Sequence, residues 1–172
     1  MIPDPEVTEE TSESFYNGVP AKDQLATEDL LPKLTKNYHT EPSMIKISRM
    51  TEENLRAVEN FSIYNEYGRI TFDTPTDLAC LNLDEIVFLG HRVVELYPDN
   101  GKVRLPEVGQ GLNKAATIEF YKWNLPRKYQ DNVEAYKAKL EDWAESQNAE
   151  LVYFDPEREI VCIHVENFNL KD

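Results

Sequence analysis

The sequence predicts an α+β fold: a single compact domain with six to eight mostly antiparallel strands, arranged as a sheet or half-open barrel and flanked by two or three helices. Two features of the pattern carry this prediction. Short runs of β-branched and aromatic residues are separated by Gly, Pro, Asn and Asp turns, which is typical of antiparallel strands. One later stretch instead repeats its apolar residues every three or four positions, as an amphipathic helix does. A length of 172 residues suits one domain of this kind.

The first part of the chain predicts an acidic, flexible arm over residues 1–33. Residues 1–30 contain eight acidic residues and one basic residue, with few large apolar side chains. Such a segment cannot bury enough apolar surface to offset the entropy lost on ordering. We therefore expect the folded domain to span residues 34–168, with residues 169–172 as a short C-terminal tail.

Two short helices and a hairpin are expected at the start of the domain. Ser43 and Thr51 are good N-cap residues, and the acidic residues after Thr51 suit the positive end of a helix dipole. The second helix is expected to end near Asn60. Alternating residues then predict two strands joined by a turn over residues 65–68. The strands span residues 61–64 and 69–72.

The middle of the chain predicts two further hairpins. Residues 77–84 are expected to be irregular, and strands are expected over residues 85–89 and 92–97. Asp99-Asn100-Gly101 is a strong signal for a tight turn. We therefore expect residues 102–105 to form another strand.

A glycine-containing loop, residues 106–113, precedes the clearest strand candidate, residues 116–123. The loop has the sequence PEVGQGLN, and glycine allows backbone angles that other residues avoid. Its G-x-G pair does not predict a dinucleotide site, because that fingerprint requires a helix after the glycines and here a strand follows. We interpret the segment as a structural loop whose key positions are Pro106, Gly109, Gly111, Leu112 and Asn113.

The last third of the chain predicts a long helix and a final hairpin. Apolar residues at positions 129, 133, 136, 140 and 143 form one stripe, so a helix is expected over about residues 127–146. The hairpin is expected to have strands over residues 150–154 and 159–165, around Asp155-Pro156-Glu157.

Composition argues against several classes of function. The formal net charge is −14, and binding of nucleic acid requires a cluster of Lys and Arg, so nucleic acid is disfavoured as a main partner. No run of 18 apolar residues predicts a membrane span, and the N-terminus lacks the pattern of a secretory signal. Cys80 and Cys162 have no metal-like spacing and are interpreted as buried thiols. No metal or cofactor is expected.

Several segments resemble one family. PEVGQGLNKAATI (residues 106–118) is similar to a PxVGxGLNxxAxI signature, and LNLDEIV (residues 81–87) is similar to an LNLDDIV run. Further matches follow in order at Lys33-Leu34-Thr35, Tyr38–Ser43, Tyr67–Phe72, Asp77-Leu78, Val94–Asp99 and Tyr153–Glu157. Together they cover about residues 34–168. The chain therefore resembles the autoproteolytic (autopeptidase) domain that ends the FG-repeat part of the ninety-eight class of nucleoporins, in a degenerate, non-cleaving form.

The resemblance implies where chemistry would occur. Active members of that family cut themselves after the Phe of a His-Phe-Ser sequence on the last strand: the hydroxyl attacks the preceding carbonyl, and the histidine takes its proton. The matching residues here are Asn167, Phe168 and Asn169. A carboxamide has no titratable nitrogen near neutral pH, and asparagine offers no hydroxyl. We therefore expect a degenerate cleavage site, no catalytic residue and no enzyme activity.

The resemblance also implies an interaction module of the nuclear pore complex, in the nuclear envelope of the nucleus. By this resemblance the domain anchors an FG-type nucleoporin by binding a β-propeller nucleoporin of the cytoplasmic filament or scaffold complex. It would thereby support nucleocytoplasmic transport of mRNA and protein. The groove at the end of the domain is expected to hold either the chain's own C-terminal tail or a partner peptide.

Two alternatives stay open from the sequence. One is a self-cleaving peptidase with a different nucleophile, for which the candidates are Thr117, Ser62 and Cys162. Nearby His164 is expected to point to the opposite face of the strand from Asn167, because three positions separate them. The other alternative is an RNA-binding module, which the acidic charge opposes. A local basic cluster in the sequence is equally explained by solvated side chains; it consists of Lys114, Lys122, Arg127 and Lys128.

Overall fold

The computed structural model describes residues 24–169, which form one α+β domain with eight strands. The strands are β1 (His39–Glu41), β2 (Ser62–Tyr64), β3 (Gly68–Phe72), β4 (Val87–Gly90), β5 (Val93–Leu96), β6 (Ala116–Phe120), β7 (Ala149–Asp155) and β8 (Ile160–Val165). Six of them form one antiparallel sheet in the order β1-β2-β3-β6-β8-β7, and β4 and β5 form a separate hairpin. The large sheet is open rather than a half-open barrel, because its edge strands β1 and β7 do not pair with each other.

The described residues contain four α-helices, where two or three are expected. They are α1 (Met44–Ile47), α2 (Glu52–Leu55), α3 (Leu83–Ile86) and α4 (Val133–Ser146). The first three are single turns, and each is capped by the side chain that precedes it, from Ser43, Thr51 or Asn82. Helix α2 ends earlier than the predicted end near Asn60, because Val58 leaves the helix to exchange two backbone hydrogen bonds with Thr76.

The hydrophobic core lies against one face of the large sheet. Ile70 in β3, Ile118 in β6 and Ile163 in β8 lie side by side across the three central strands, and each is at most 3% exposed. Side chains from α4 and from the β4–β5 hairpin belong to the same buried cluster. Burial of each such side chain stabilises the fold by about 1.5–3 kcal/mol.

Helix α4 confirms the predicted apolar stripe but starts later than predicted. Residues 127–129 form a 3-10 turn, and Asn132 then caps α4 by accepting a hydrogen bond from the Ala135 N–H (3.1 Å). Tyr136 on the buried face of α4 accepts a hydrogen bond from the Trp123 indole (2.9 Å). The stripe therefore faces the sheet.

Two segments depart from the predicted strands. Residues 83–86 form α3, so Glu85 and Ile86 are helical where a strand is expected to begin, because Asn82 caps a helical turn there. Residues 102–105 form no strand, so the hairpin predicted after β5 is wrong. Tyr97 adopts a left-handed backbone (φ 55°) directly after β5, and its hydroxyl accepts a hydrogen bond from the Leu112 N–H (3.0 Å). The chain is thus turned away from β5.

The described part of the predicted arm, residues 24–33, lies against the domain. The Ala26 N–H donates to the Met50 carbonyl (2.8 Å), and the Lys33 N–H donates to the Leu81 carbonyl (2.8 Å). The packed region therefore includes the last part of the predicted arm.

The remaining terminal predictions fall on residues 1–23 and 170–172, which lie outside the described residues. They comprise most of the predicted arm and most of the predicted tail. Within residues 24–169, no helix is long and apolar enough to cross a membrane, and no group of three or more His, Cys, Asp or Glu residues could hold a metal ion.

The two cysteines differ in exposure. Cys162 is buried in β8, as predicted, whereas Cys80 is exposed. Cys80 has a left-handed backbone (φ 63°) in a turn, so the buried-thiol interpretation is wrong for this residue.

Candidate functional site

The loop of residues 106–113 is closed by its own backbone. The Gly109 N–H donates to the Asn113 carbonyl (2.7 Å), and the Asn113 N–H donates to the Gln110 carbonyl (3.0 Å). Gly109 and Gly111 both have left-handed backbones, with φ of 95° and 56°. Glycine adopts this conformation without the strain that a side chain would add. The loop is therefore a compact turn fixed directly before β6.

Gly111 is also required for space. A Cβ atom at this position would lie 2.6 Å from the Tyr97 hydroxyl oxygen. Burial raises the pKa of Tyr97, although the hydrogen bond that its hydroxyl accepts from the Leu112 N–H acts in the opposite direction. The Tyr97 phenol is therefore neutral, and its hydroxyl oxygen accepts a hydrogen bond from the loop inside the domain.

The side chain of Asn113 joins this loop to the end of the described chain. It is fully buried, and its amide makes three hydrogen bonds. Its Oδ1 accepts from the Phe168 N–H (2.7 Å), and its Nδ2 donates to the Pro106 carbonyl (2.8 Å) and to Asn169 Oδ1 (2.9 Å). We call Asn113 together with residues 167–169 the terminal clasp.

The three residues that the family resemblance assigns to the cleavage site all lie in the terminal clasp. Phe168 is half-buried and packs against the core. Asn167 Oδ1 accepts a hydrogen bond from the Asn169 N–H (3.0 Å), so the side chain at position 167 reaches residue 169. The positions matching a base and a nucleophile are thus adjacent, and both hold carboxamides that neither accept a proton near neutral pH nor provide a hydroxyl.

His164 is held by carboxylates. Its Nε2 lies 2.6 Å from Asp73 Oδ2, and its Nδ1 lies 3.5 Å from Glu166 Oε2. Both ring nitrogens therefore face acidic groups, and the imidazole is not directed at the terminal clasp.

The three alternative nucleophiles lie within the sheet. Ser62 is buried, and its hydroxyl accepts a hydrogen bond from an arginine on β3 (2.8 Å). Burial, and then the charge of Glu119, raises the pKa of the Cys162 thiol to about 11, so this group is protonated at neutral pH. Thr117 lies opposite His164 in the β6–β8 pair. Within residues 24–169, no hydrogen bond joins any of the three to the terminal clasp.

The basic residues singled out from the sequence have different neighbours. Lys114 donates to the carbonyls of Thr74 (3.2 Å) and Pro75 (2.8 Å), and burial lowers its pKa. Lys122 forms an exposed ion pair with Glu66 (2.8 Å). Lys128 lies over the ring of its neighbour Tyr129, next to Arg127. These contacts explain the basic residues without a common anionic ligand.

Sequence reasoning found both halves of the site but not their connection. The hydrogen bond between Asn113 and Phe168 spans 55 positions, and no local pattern signals a contact over such a separation. Asn113 itself was the available signal, because it lies between Leu112 and a strand that is expected to be buried. A buried amide is expected to have hydrogen-bond partners, so a contact from Asn113 could have been anticipated. No pattern in the sequence indicated that Asp73 would be the partner of His164.

The fold and the site define a class of protein: a domain with an open antiparallel sheet, in which a glycine loop before a central strand clasps the segment that follows the last strand. The family model described as Nup98-96 autopeptidase S59 (Nucleoporin2) matches residues 35–170. The chain belongs to this family of nucleoporin autopeptidase domains.

Individual relatives agree. The nuclear pore complex protein NUP98A of Arabidopsis thaliana is 35% identical over 154 residues, which cover 83% of this chain and 15% of that protein. The C-terminal domain of nuclear pore complex component NUP116 from Candida glabrata is 26% identical, with a TM-score of 0.65, covering 83% of this chain and 97% of that one. A chain of the yeast heterotrimeric Nup82-Nup159-Nup116 nucleoporin complex has the same fold, at 22% identity and a TM-score of 0.65, covering 78% of this chain and 99% of that one.

The chain thus spans about 15% of NUP98A and smaller shares of other full-length relatives, such as 6% of Nup98-Nup96 of Drosophila melanogaster. These relatives are nuclear pore proteins. The chain is therefore a nucleoporin domain of the nuclear pore complex, in the nuclear envelope.

Proposed function

We propose that this domain is a docking module of the nuclear pore complex that does not cut itself. It anchors an FG-type nucleoporin by binding a β-propeller nucleoporin of the cytoplasmic filament or scaffold complex, and so supports transport of mRNA and protein. The observation that carries the proposal is the terminal clasp, in which Phe168 and Asn169 are held by amide groups.

The absence of cleavage follows from the chemistry of positions 167 and 169. An acyl shift at Phe168 needs a hydroxyl on the next residue and a base beside that hydroxyl. Asn167 occupies the position of the base, 3.0 Å from the backbone nitrogen of residue 169, but its amide takes no proton. Loss of a general base alone slows such a reaction by about 10²–10⁴-fold, and Asn169 removes the nucleophile as well.

The docking role is supported by the family to which the chain belongs. A neighbour of the same fold occurs in the yeast Nup82-Nup159-Nup116 complex, so a domain of this shape assembles with other nucleoporins there. We extend that role to this chain. Asn169 already contacts the Asn113 amide, and we propose that the groove expected at this end of the domain takes the chain's own C-terminal tail or, in its place, a partner peptide.

A binding measurement tests the docking role. Purified domain mixed with a purified β-propeller nucleoporin should elute from a sizing column as one complex, and the two should bind in calorimetry. Absence of binding to any propeller nucleoporin of the cytoplasmic filament or scaffold complexes would contradict the proposal.

Deletion of residues 169–172 tests the part played by the tail. We expect a less stable domain, because the Asn113 amide loses its partner at Asn169. We also expect altered affinity for the propeller partner, because the groove is emptied. Unchanged stability and unchanged affinity together would contradict a tail bound in the groove.

A further inference from the structure

The outer edge of β4 is covered by side chains from other parts of the chain. The Leu89 N–H donates to the Tyr38 hydroxyl (3.0 Å), and the Leu89 carbonyl accepts from Asn65 Nδ2 (2.9 Å). The Val87 carbonyl accepts from Lys36 Nζ (3.3 Å). The backbone groups of Leu89 and the carbonyl of Val87 therefore point away from β5.

This arrangement fixes the direction of the backbone groups in β5. Leu89 lies opposite Val94, and Val87 lies opposite Leu96. In an antiparallel pair, residues whose backbone groups point away from each other alternate with residues that bond to each other. The N–H and C=O groups of Val94 and Leu96 consequently point to the outer edge of β5, where no residue in the range 24–169 bonds to them.

The other strand edges carry protective features that β5 lacks. Edge strand β1 is only three residues long and ends directly before Pro42. Edge strand β7 contains an irregularity between Leu151 and Tyr153, which interrupts the ladder. Short strands, proline, bulges and covering groups are the usual means by which proteins prevent unwanted strand pairing. Residues 102–105, which the sequence predicts as a strand after β5, do not pair with it either.

An apolar patch lies beside this open edge. Phe88 and Val93 are each 43% exposed and lie on the outer face of the β4–β5 hairpin. The Phe88 ring lies across Gly90, since a Cβ atom on Gly90 would be 2.9 Å from the ring. Exposed Glu95 lies opposite Phe88 on the same face. The patch thus presents an aromatic ring, a valine and one carboxylate, with Lys36 Nζ lying 5.9 Å from the centre of the Phe88 ring.

We propose that the outer edge of β5 is a strand-addition site, which takes an extended, neutral or basic segment of a partner protein as the third strand of the β4–β5 sheet. Backbone groups of Val94 and Leu96 supply the hydrogen bonds, and alternate side chains of the incoming strand lie beside Val93 and Glu95 on the outer face. A basic residue on the incoming strand pairs with Glu95.

Charge selects this partner over two other occupants. A second copy of the chain would bring together two molecules with a net charge of −14 each. Residues 1–23, with six acidic residues and one basic residue, are acidic like the rest of the chain. Like charges disfavour both associations. This site is separate from the terminal clasp and does not depend on the function proposed above.

Amide hydrogen exchange, read by NMR at single residues, tests the site. In the free protein the Val94 and Leu96 amides should exchange quickly and the Leu89 amide slowly. Addition of a short acetylated peptide in which Val alternates with Lys and Thr should protect Val94 and Leu96. The same peptide with Glu in place of Lys should protect them much less.

Two exposed valines on edge strands provide matched variants. Val93→Lys places a charged side chain on the proposed site and should weaken binding of the Val-Lys-Thr peptide by about tenfold. Val152→Lys, at an exposed position of edge strand β7 (54%, against 43% for Val93), should leave binding unchanged. Slow exchange of Val94 and Leu96 in the free protein, self-association through β5, protection of the β1 or β7 edge instead, or equal effects of the two variants would each overturn the proposal.

Discussion

The end of the last strand carries two polar clusters of different character. At His164 the contacts are with carboxylates, from Asp73 at 2.6 Å and from Glu166 at 3.5 Å. In the terminal clasp, the amides of Asn113, Asn167 and Asn169 make the contacts. The contacts of His164 are thus with carboxylates, whereas the Phe168 N–H donates to an amide oxygen.

Holding a terminal segment and cutting that segment are two roles that one site can combine. Holding a terminal segment requires hydrogen bonds with matched donors and acceptors, and neutral amides supply them. Cutting that segment requires proton transfer and a nucleophile, which amides do not supply. In this chain the clasp holds residues 167–169 by hydrogen bonds, and we propose that it is chemically inert.

The largest effect is expected from restoring the reactive groups. In the double variant Asn167→His/Asn169→Ser, we expect the imidazole to come within reach of the new hydroxyl, because the side chain at position 167 already reaches the backbone N–H of residue 169. We expect self-cleavage after Phe168, measured as the loss of residues 169–172 in a mass-spectrometric time course. The single variant Asn169→Ser should cleave about 10²–10⁴-fold more slowly, since it lacks the base. A double variant that stays whole would show that the clasp geometry itself is unsuitable for cleavage.

The next largest effect is expected from breaking the clasp. Asn113→Ala removes three hydrogen bonds at a fully buried position and leaves the Phe168 N–H without its partner. The free energy of unfolding, from urea denaturation, should fall by about 3 kcal/mol. The control Asn167→Ala loses one local bond at a half-buried position and should cost about 1 kcal/mol or less. Equal losses in the two variants would argue against Asn113 as the centre of the clasp.

A smaller effect is expected in the loop that carries Asn113. Gly111→Ala places a methyl group 2.6 Å from the Tyr97 hydroxyl and strains a left-handed backbone, so the free energy of unfolding should fall by about 2 kcal/mol. Gly109→Ala strains a similar backbone but meets nothing within 4 Å. Its cost should be about 1 kcal/mol. The two variants can be compared by thermal unfolding, and a more costly Gly109→Ala would contradict the contact with Tyr97.

The smallest change is expected for the thiol considered as an alternative nucleophile. Burial and Glu119 raise the pKa of Cys162 to about 11, so little reactive thiolate forms near neutral pH. Iodoacetamide should therefore modify exposed Cys80 in the folded protein and reach Cys162 only after unfolding. Peptide mapping by mass spectrometry distinguishes the two sites. Rapid modification of Cys162 in the folded domain would contradict this expectation and would indicate a reactive thiol.

Local signals were sufficient for much of the fold. Ser43 and Thr51 cap helices where predicted, and the apolar stripe of α4 faces the sheet, because capping and periodicity depend on residues close in sequence. The turn predicted at Asp99-Asn100-Gly101 forms, since the Gly101 N–H donates to the Pro98 carbonyl (2.8 Å), but the strand predicted after it does not, for a tertiary reason. Tyr97 turns the chain after β5 and binds Leu112, and this contact overrides the local preference for a hairpin.

The site was only partly predictable for the same reason. The family resemblance located residues 167–169 and the glycine loop, but the bond from Asn113 to Phe168 depends on how two distant segments meet. The partner of His164 could not be predicted either, since Asp73 reaches it across 91 positions. Contacts of this kind come from the pairing of β3, β6 and β8 and not from any local pattern.

The central claim, that the terminal clasp holds an uncut chain, is tested most directly by the intact mass of freshly purified protein that is then stored at neutral pH. We predict a stable species at the full mass of 20.0 kDa, with residues 169–172 retained. A species that ends at Phe168 would contradict the account.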